Sequence, residues 1–227
     1  MSKLVGGPIY SMDTTPRSPE ERYGPALLKA LEGLKGRDPH VVADWAGVEY
    51  EAGAAGQGQL RVRYWDSTYM VSYPAGRVLD REGKEPPIFV RLVILHYLLT
   101  AVGVPMADRW IAFRELPGGL GYDAAFQARV NRRLAATFGQ KLSAFKEAGL
   151  ALGGMPLEVG DAAFAFDLFP RLRVAVVIYR GDDEFPASAN LIFDGAADRC
   201  LPTEDLVVLG ELVASRLARF AASSKPS

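Results

Sequence analysis

Residues able to do chemistry are few in this chain, and they gather in a handful of places. Arg180-Gly181-Asp182-Asp183-Glu184-Phe185-Pro186 sets three consecutive acids between two apolar runs. Hard cations take oxygen ligands that converge from several positions. Adjacent acids cannot all point at one ion, and the alternate-residue acids of a calcium loop are missing. Asp183, Glu184 and Asp194 would share a cation only if the fold brought them together, so no metal site is assigned. The other readings are a solvated hairpin tip and a ligand-binding rim answered by an arginine. Arg114 is the arginine that suits the rim. It follows the apolar run Trp110-Ile111-Ala112-Phe113, and a buried guanidinium needs a carboxylate or a ligand anion beside it. A direct pair between Arg114 and Asp183, framing a ligand pocket, is the expectation. The adjoining Leu116-Pro117-Gly118-Gly119 leads from strand to helix, where backbone N–H groups can hold an anion. It carries neither phosphate-binding glycine pattern. Asp123 would compete with an anion there, so a tight turn is the simpler reading.

His96 stands in the most apolar stretch, Ile88 to Val102. A histidine so placed is either a general base or axial ligand of a metal cofactor, or a core histidine satisfied by a backbone carbonyl or by Thr100. Cys200 precedes a helix start, a setting that can lower a thiol pKa, but no histidine is near it in sequence. Ser188 lacks the glycines of a nucleophile elbow. Both read as structural. One cysteine in the whole chain cannot supply a disulfide, a cysteine zinc site or an iron–sulfur cluster. The cofactor is otherwise unknown.

These residues must be positioned by helices and strands whose signals are local. Ser18-Pro19-Glu20-Glu21 forms a capping box with proline at the first helical position, and Gly24-Pro25 is expected to interrupt or kink the helix it opens. Asp38-Pro39 starts a second helix, to about Trp45. Val48 to Ala52 is a short strand. Leu60, Val62 and Tyr64 alternate with Arg61, Arg63 and Trp65, and Tyr69, Val71 and Tyr73 return as a hairpin. Arg77 to Pro87 reads as loop, Ile88 to Val102 as a buried apolar helix, and Trp110 to Arg114 as a strand. Phe126, Val130, Leu134 and Phe138 recur every four residues on one helix, and a further helix follows to Leu152. Three alternating strands, around Phe164, Val176 and Leu191, have no helices between them and therefore pair antiparallel. Pro202-Thr203-Glu204-Asp205 opens the last helix, with Thr203 as its expected cap. Blocks of strands and helices define an α+β fold, a mostly antiparallel sheet with helices packed on it and one apolar central helix. The expected boundaries are a loose lead-in over residues 1–17, one domain over 18–221 and a frayed tail over 222–227.

Composition bounds the rest. The chain has 227 residues, 49% of them apolar, enough for a core without disulfides or metals. Its 26 basic and 27 acidic residues leave a net charge of −1 and a pI near 6.2. No nucleic-acid partner is expected from such a balance. Arg129, Arg132, Arg133, Lys141 and Lys146 read as a solvated helix face. The apolar stretch is too short to span a membrane comfortably and carries Arg91 and His96. No membrane partner is expected, and a cytoplasmic location fits the lone thiol.

Leu95-His96-Tyr97-Leu98-Leu99, Trp110 to Gly119, Gly181 to Ala187 and Leu201-Pro202-Thr203-Glu204-Asp205-Leu206, in this order, resemble the domain-of-unknown-function family 3786, over about residues Tyr23 to Phe220. The resemblance carries over no catalytic residue. It implies a setting in anaerobic bacteria and archaea. Some family members resemble corrinoid iron–sulfur proteins in bearing an N-terminal four-iron–four-sulfur module, which Cys200 alone cannot supply. The link to corrinoid or one-carbon metabolism is by family association only.

Three functional readings follow. The first is a cytoplasmic binding or accessory protein that holds a small ligand or metallocofactor, or meets a metalloprotein partner. Its candidate residues are Arg114, His96, Asp183, Glu184 and Asp194, with the ligand between sheet and apolar helix. The second is an enzyme using acid–base chemistry on an anionic small molecule, with Asp183 or Glu184 as base. The third is a structural interaction protein without a small-molecule site. Convergence of Arg114, His96 and Asp183 on one pocket separates the first two from the third.

Overall fold

The computed structural model describes residues 18–223; the lead-in over 1–17 and residues 224–227 of the tail lie outside the described residues. Helix α1 (Pro19–Lys35) starts on its capping box. The Ser18 hydroxyl accepts from the Glu21 amide at 3.1 Å, and the Glu21 carboxylate accepts from the Ser18 amide at 2.8 Å. The helix runs through Gly24-Pro25 without the expected interruption. A proline this close to the start removes a single backbone bond. Helix α2 (Pro39–Ala46) is capped by Asp38, whose carboxylate accepts from the His40 amide at 2.8 Å.

The first sheet is an antiparallel meander of β1 (Glu49–Ala52), β2 (Gly58–Tyr64), β3 (Ser67–Tyr73) and β4 (Val78–Leu79), paired in that order. Strand β4 lies in the stretch expected to be loop. Leu60, Val62 and Tyr64 face the core as their alternation requires. Trp65, expected on the solvent face with Arg61 and Arg63, is instead 4% exposed. It sits at the turn with φ 58°, which breaks the alternation and turns the ring inward. Its backbone N–H donates to the Leu168 carbonyl at 2.7 Å, and its indole N–H to the Leu152 carbonyl at 2.7 Å. One residue thus ties the first sheet to the second.

Helix α3 (Ile88–Thr100) is the apolar helix, with Leu92 to Leu95, Tyr97 and Leu98 buried. The Tyr97 ring stacks on Phe169 at 4.1 Å between centroids, and its hydroxyl donates to the Ala46 carbonyl at 2.7 Å. A buried tyrosine needs such a partner.

The second sheet combines β5 (Trp110–Ala112), β6 (Met155–Leu157), β7 (Ala162–Phe169), β8 (Leu172–Tyr179) and β9 (Ser188–Asp194), in the order β5-β9-β8-β7-β6, all antiparallel. Helices α4 (Gly119–Phe126) and α5 (Arg132–Phe138) flank a π turn over Gln127–Asn131, and α6 (Leu142–Ala151) and α7 (Thr203–Ser223) complete the helical layer. The π turn answers the four-residue spacing of Phe126, Val130, Leu134 and Phe138, all buried. Over that span an α-helix would carry the last side chain roughly 120° off the first, and one π turn absorbs most of this drift. Asn131 on that turn is buried. Its side-chain oxygen accepts from the Leu191 amide at 2.9 Å, satisfying β9 beyond the point where β5 ends. The α+β architecture and the antiparallel pairing are as expected, with the strands divided between two sheets.

Candidate functional site

Arg114 does not lie on a strand. Strand β5 ends at Ala112, and Phe113–Glu115 form a 3-10 turn that leaves Arg114 exposed. The turn is held by Glu115, whose carboxylate accepts from the Ala112 amide at 2.6 Å. Among the described residues no carboxylate lies within 4.0 Å of the Arg114 guanidinium, so the expected direct pair with Asp183 is absent. The glycines after it are a structural turn: a Cβ at Gly119 would fall 2.1 Å from the Phe113 carbonyl oxygen. The acidic loop closes on itself. The Asp182 carboxylate accepts from the Glu184 amide at 2.9 Å and the Phe185 amide at 2.7 Å, and these bonds hold its pKa below the ordinary aspartate value. Asp183, Glu184 and Phe185 are exposed. Asp182 is relieved by these backbone donors and its two neighbours by solvent, and among the described residues no side-chain cation lies within 4.0 Å of any of the three.

Asp194 stands at the far end of β9 from that loop, about 20 Å away at the rise of a strand. It is 3% exposed, and its two oxygens accept from the amides of Ala107, Asp108 and Ala196 at 2.8–2.9 Å. A buried carboxylate answered by three backbone donors is a structural device that pins the Ala107-Asp108 segment to the end of β9. Asp183, Glu184 and Asp194 are therefore not brought together. Among the described residues no group of three or more His, Cys, Asp or Glu side chains converges in a way that could hold a metal.

His96 is half-buried, and neither Thr100 nor a carbonyl holds its ring. Its Nδ1 lies 2.7 Å from the Asp205 carboxylate at the start of α7. Thr100 instead places its hydroxyl between the carbonyls of His96 and Cys200. Cys200 is 1% exposed, with Sγ 3.1 Å from the Arg171 carbonyl oxygen. Burial pushes its thiol up to about 12, against the lowering that a helix start can produce. Arg114, His96 and Asp183 share no hydrogen bond or ion pair.

The concave features lie elsewhere. A cavity of about 130 Å³ opens between α1, α3 and the turn from β3 to β4. Leu27, Leu31 and Leu95 form its apolar wall, and Arg77, Glu85 and Arg91 its polar end. Glu85 is shared: one oxygen accepts from Arg77 Nε at 2.9 Å, the other from Arg91 Nη1 at 2.9 Å. Two guanidiniums thus meet one carboxylate. Arg91 Nε is buried and has no hydrogen-bond partner. Gly76 keeps the cavity open, since a Cβ there would fall 2.6 Å from a Leu31 methyl carbon, and its φ of +71° favours glycine. The signal for Arg91 was present in the sequence, as a charge inside an otherwise apolar helix, but nothing local named Glu85 or Arg77 as its neighbours. A wider trough of about 750 Å³ runs past Lys35, Glu51, Gln59 and Ser72. Its lysine is already paired with Glu32 at 2.6 Å. A third cleft, of about 350 Å³, lies at the junction of the two sheets.

A family model described as Domain of unknown function (DUF3786) matches residues 38–216. No curated protein and no solved structure matches the chain. No helix among the described residues is long and apolar enough to cross a membrane.

Proposed function

We infer the function of this chain, which belongs to the family described as Domain of unknown function (DUF3786), from its own side chains: it is a cytoplasmic binding or accessory protein that holds a small anion between the apolar helix α3 and the first sheet. The observation that carries this reading is Arg91. Its Nε–H is buried without a partner at the polar end of a cavity, and an unsatisfied buried donor costs about 1–3 kcal/mol. Glu85 balances only one of the two guanidiniums beside it, so an anion bound there meets a net positive end. The cavity has room for about four waters at roughly 30 Å³ each. That volume suits a short carboxylate with its chain against Leu27, Leu31 and Leu95, and is far too small for a nucleotide. In this reading the ligand sits where the first sheet and the apolar helix meet, with Arg91 and Arg77 in place of Arg114, His96 and the acidic loop as its contacts.

The test is thermal unfolding in acetate, propionate and butyrate at fixed ionic strength. Saturating ligand at a hundredfold excess over Kd stabilises by about 2.7 kcal/mol, a rise of several degrees. Arg91→Gln should abolish the rise, and Arg77→Gln, at an exposed position, should reduce it without unfolding the chain. Equal rises in wild type and both variants contradict the site. With no rise in any of the three acids, the reading as a structural interaction protein stands instead.

A further inference from the structure

The cleft of about 350 Å³ where the two sheets meet is lined by two arginines, Arg63 and Arg81, that pair with no carboxylate among the described residues. Register places Arg63 of β2 directly opposite Thr68 of β3, so the two side chains share one face of the first sheet and stand side by side. Arg81 reaches the same spot from the turn after β4, its Nη2 lying 3.5 Å from the Thr68 hydroxyl. All three line the cleft. Among the described residues neither Arg63 nor Arg81 has a carboxylate within 4.0 Å. Arg63 uses Nη1 to donate to the carbonyls of Trp65 and Asp167, at 3.3 Å each, which fixes its direction and leaves the remaining N–H groups of the fork free.

The carboxylates nearby are already engaged. Both oxygens of Asp66 accept from Arg216 Nη2 at 2.6 Å. Asp167 is held by Arg173. Asp80, next to Arg81, accepts from the amides of Glu82 and Lys84 at 2.9 Å, and Glu82 pairs with the Lys84 ammonium at 2.8 Å. Asp66 and Asp167 line the cleft together with Arg63 and Arg81, but each is paired with an arginine outside the lining, which leaves the guanidiniums of Arg63 and Arg81 without a carboxylate partner. The floor is apolar, with Phe166 and Leu152 beneath and the half-exposed Met155 at the rim. The volume falls within the usual range for small-molecule sites.

We propose that this cleft is a second anion site, separate from the cavity at Arg91, and that it takes a phosphate monoester. Two guanidinium forks beside a hydroxyl match the several acceptor oxygens of a phosphoryl group. The hydroxyl of Thr68 donates to the same group, and the organic part lies over Leu152 and Met155. Phenyl phosphate is the probe, titrated by calorimetry or amide chemical shifts, with inorganic phosphate in parallel. Saturable binding of phenyl phosphate is expected, weakened about tenfold or more in Arg81→Gln, the loss of one charged hydrogen bond. Arg63→Gln should do the same. Arg61→Gln is the control: its side chain lies on the same face, faces Glu49 at 3.4 Å, and its loss should leave the affinity unchanged. Phenyl phosphate binding more tightly than inorganic phosphate assigns the site to an ester. Equal affinity assigns it to the free ion, with the same two arginines. Affinity unchanged in Arg81→Gln and Arg63→Gln overturns the proposal, as does the absence of saturable binding at millimolar concentration.

Discussion

Burial raises the Cys200 thiol to about 12, even though α7 begins three residues later. Desolvation disfavours the thiolate and outweighs the guanidinium of Arg171, which acts in the other direction. Only the thiolate attacks an electrophile. At pH 8 the native protein should therefore react with a thiol reagent at least about a hundredfold more slowly than the denatured chain, whose cysteine has an ordinary pKa. Native reaction as fast as that of the denatured chain would mean that the thiol is neither buried nor neutral. The same logic separates the acids. Asp182 and Asp194 both accept several backbone N–H bonds, yet one shapes an exposed loop and the other, itself buried, ties the exposed Ala107-Asp108 segment to the end of β9. Sequence shows only that an acid is present. Its role is set by the backbone groups that reach it, local ones for Asp182 and, for Asp194, two amides that stand 86 and 87 residues away.

Among the elements, the start of α7 is the clearest departure from a local reading. Thr203 was expected to cap the helix, but it is the first helical residue. The Asp205 and Leu206 amides bond to the Pro202 carbonyl, and the Thr203 hydroxyl donates to the Pro117 carbonyl at 2.6 Å. Thr203→Ala should lower stability by about 1 kcal/mol through a lost hydrogen bond. Thr203→Asp, a good capping residue that cannot donate when ionised, should be less stable than the alanine variant in a denaturant titration. Asp equal to wild type would restore the cap. Elements whose signals are complete in sequence were legible: the capping box at Ser18 and the cap at Asp38, the apolar run of α3, and the three strands from Ala162 to Asp194. Elements defined by the strand they pair with, and not by a pattern of their own, were not. Strands β4 and β6 are two and three residues long and exist because β3 and β7 pair with them. Trp65 reads as solvent-facing by alternation and is turned inward by its positive φ. The four-residue spacing of Phe126 to Phe138 did carry the information that a π turn was needed, since a regular α-helix cannot keep those side chains on one face.

For the whole molecule, near-zero net charge conceals a local imbalance. Of the acids chosen from the sequence, Asp194 is satisfied by backbone donors and Asp183 and Glu184 face solvent, while Arg91, Arg63 and Arg81 retain donors without matching acceptors. Of the proposed site the sequence showed only one part, the charge of Arg91 inside an otherwise apolar helix. Its side chains come from α1, α3 and the segments around β4, and no local pattern ties Arg91 to Arg77 and Glu85. In the proposed site Glu85 is an internal competitor, occupying N–H groups of both guanidiniums that a bound carboxylate would use. The most direct measurement is a calorimetric titration of propionate into wild type and Glu85→Gln. Removing the competing negative charge should tighten binding by about tenfold, near 1.4 kcal/mol, with Arg91→Gln added to that background returning the affinity to wild-type level or below. Unchanged or weaker binding in Glu85→Gln would contradict the account.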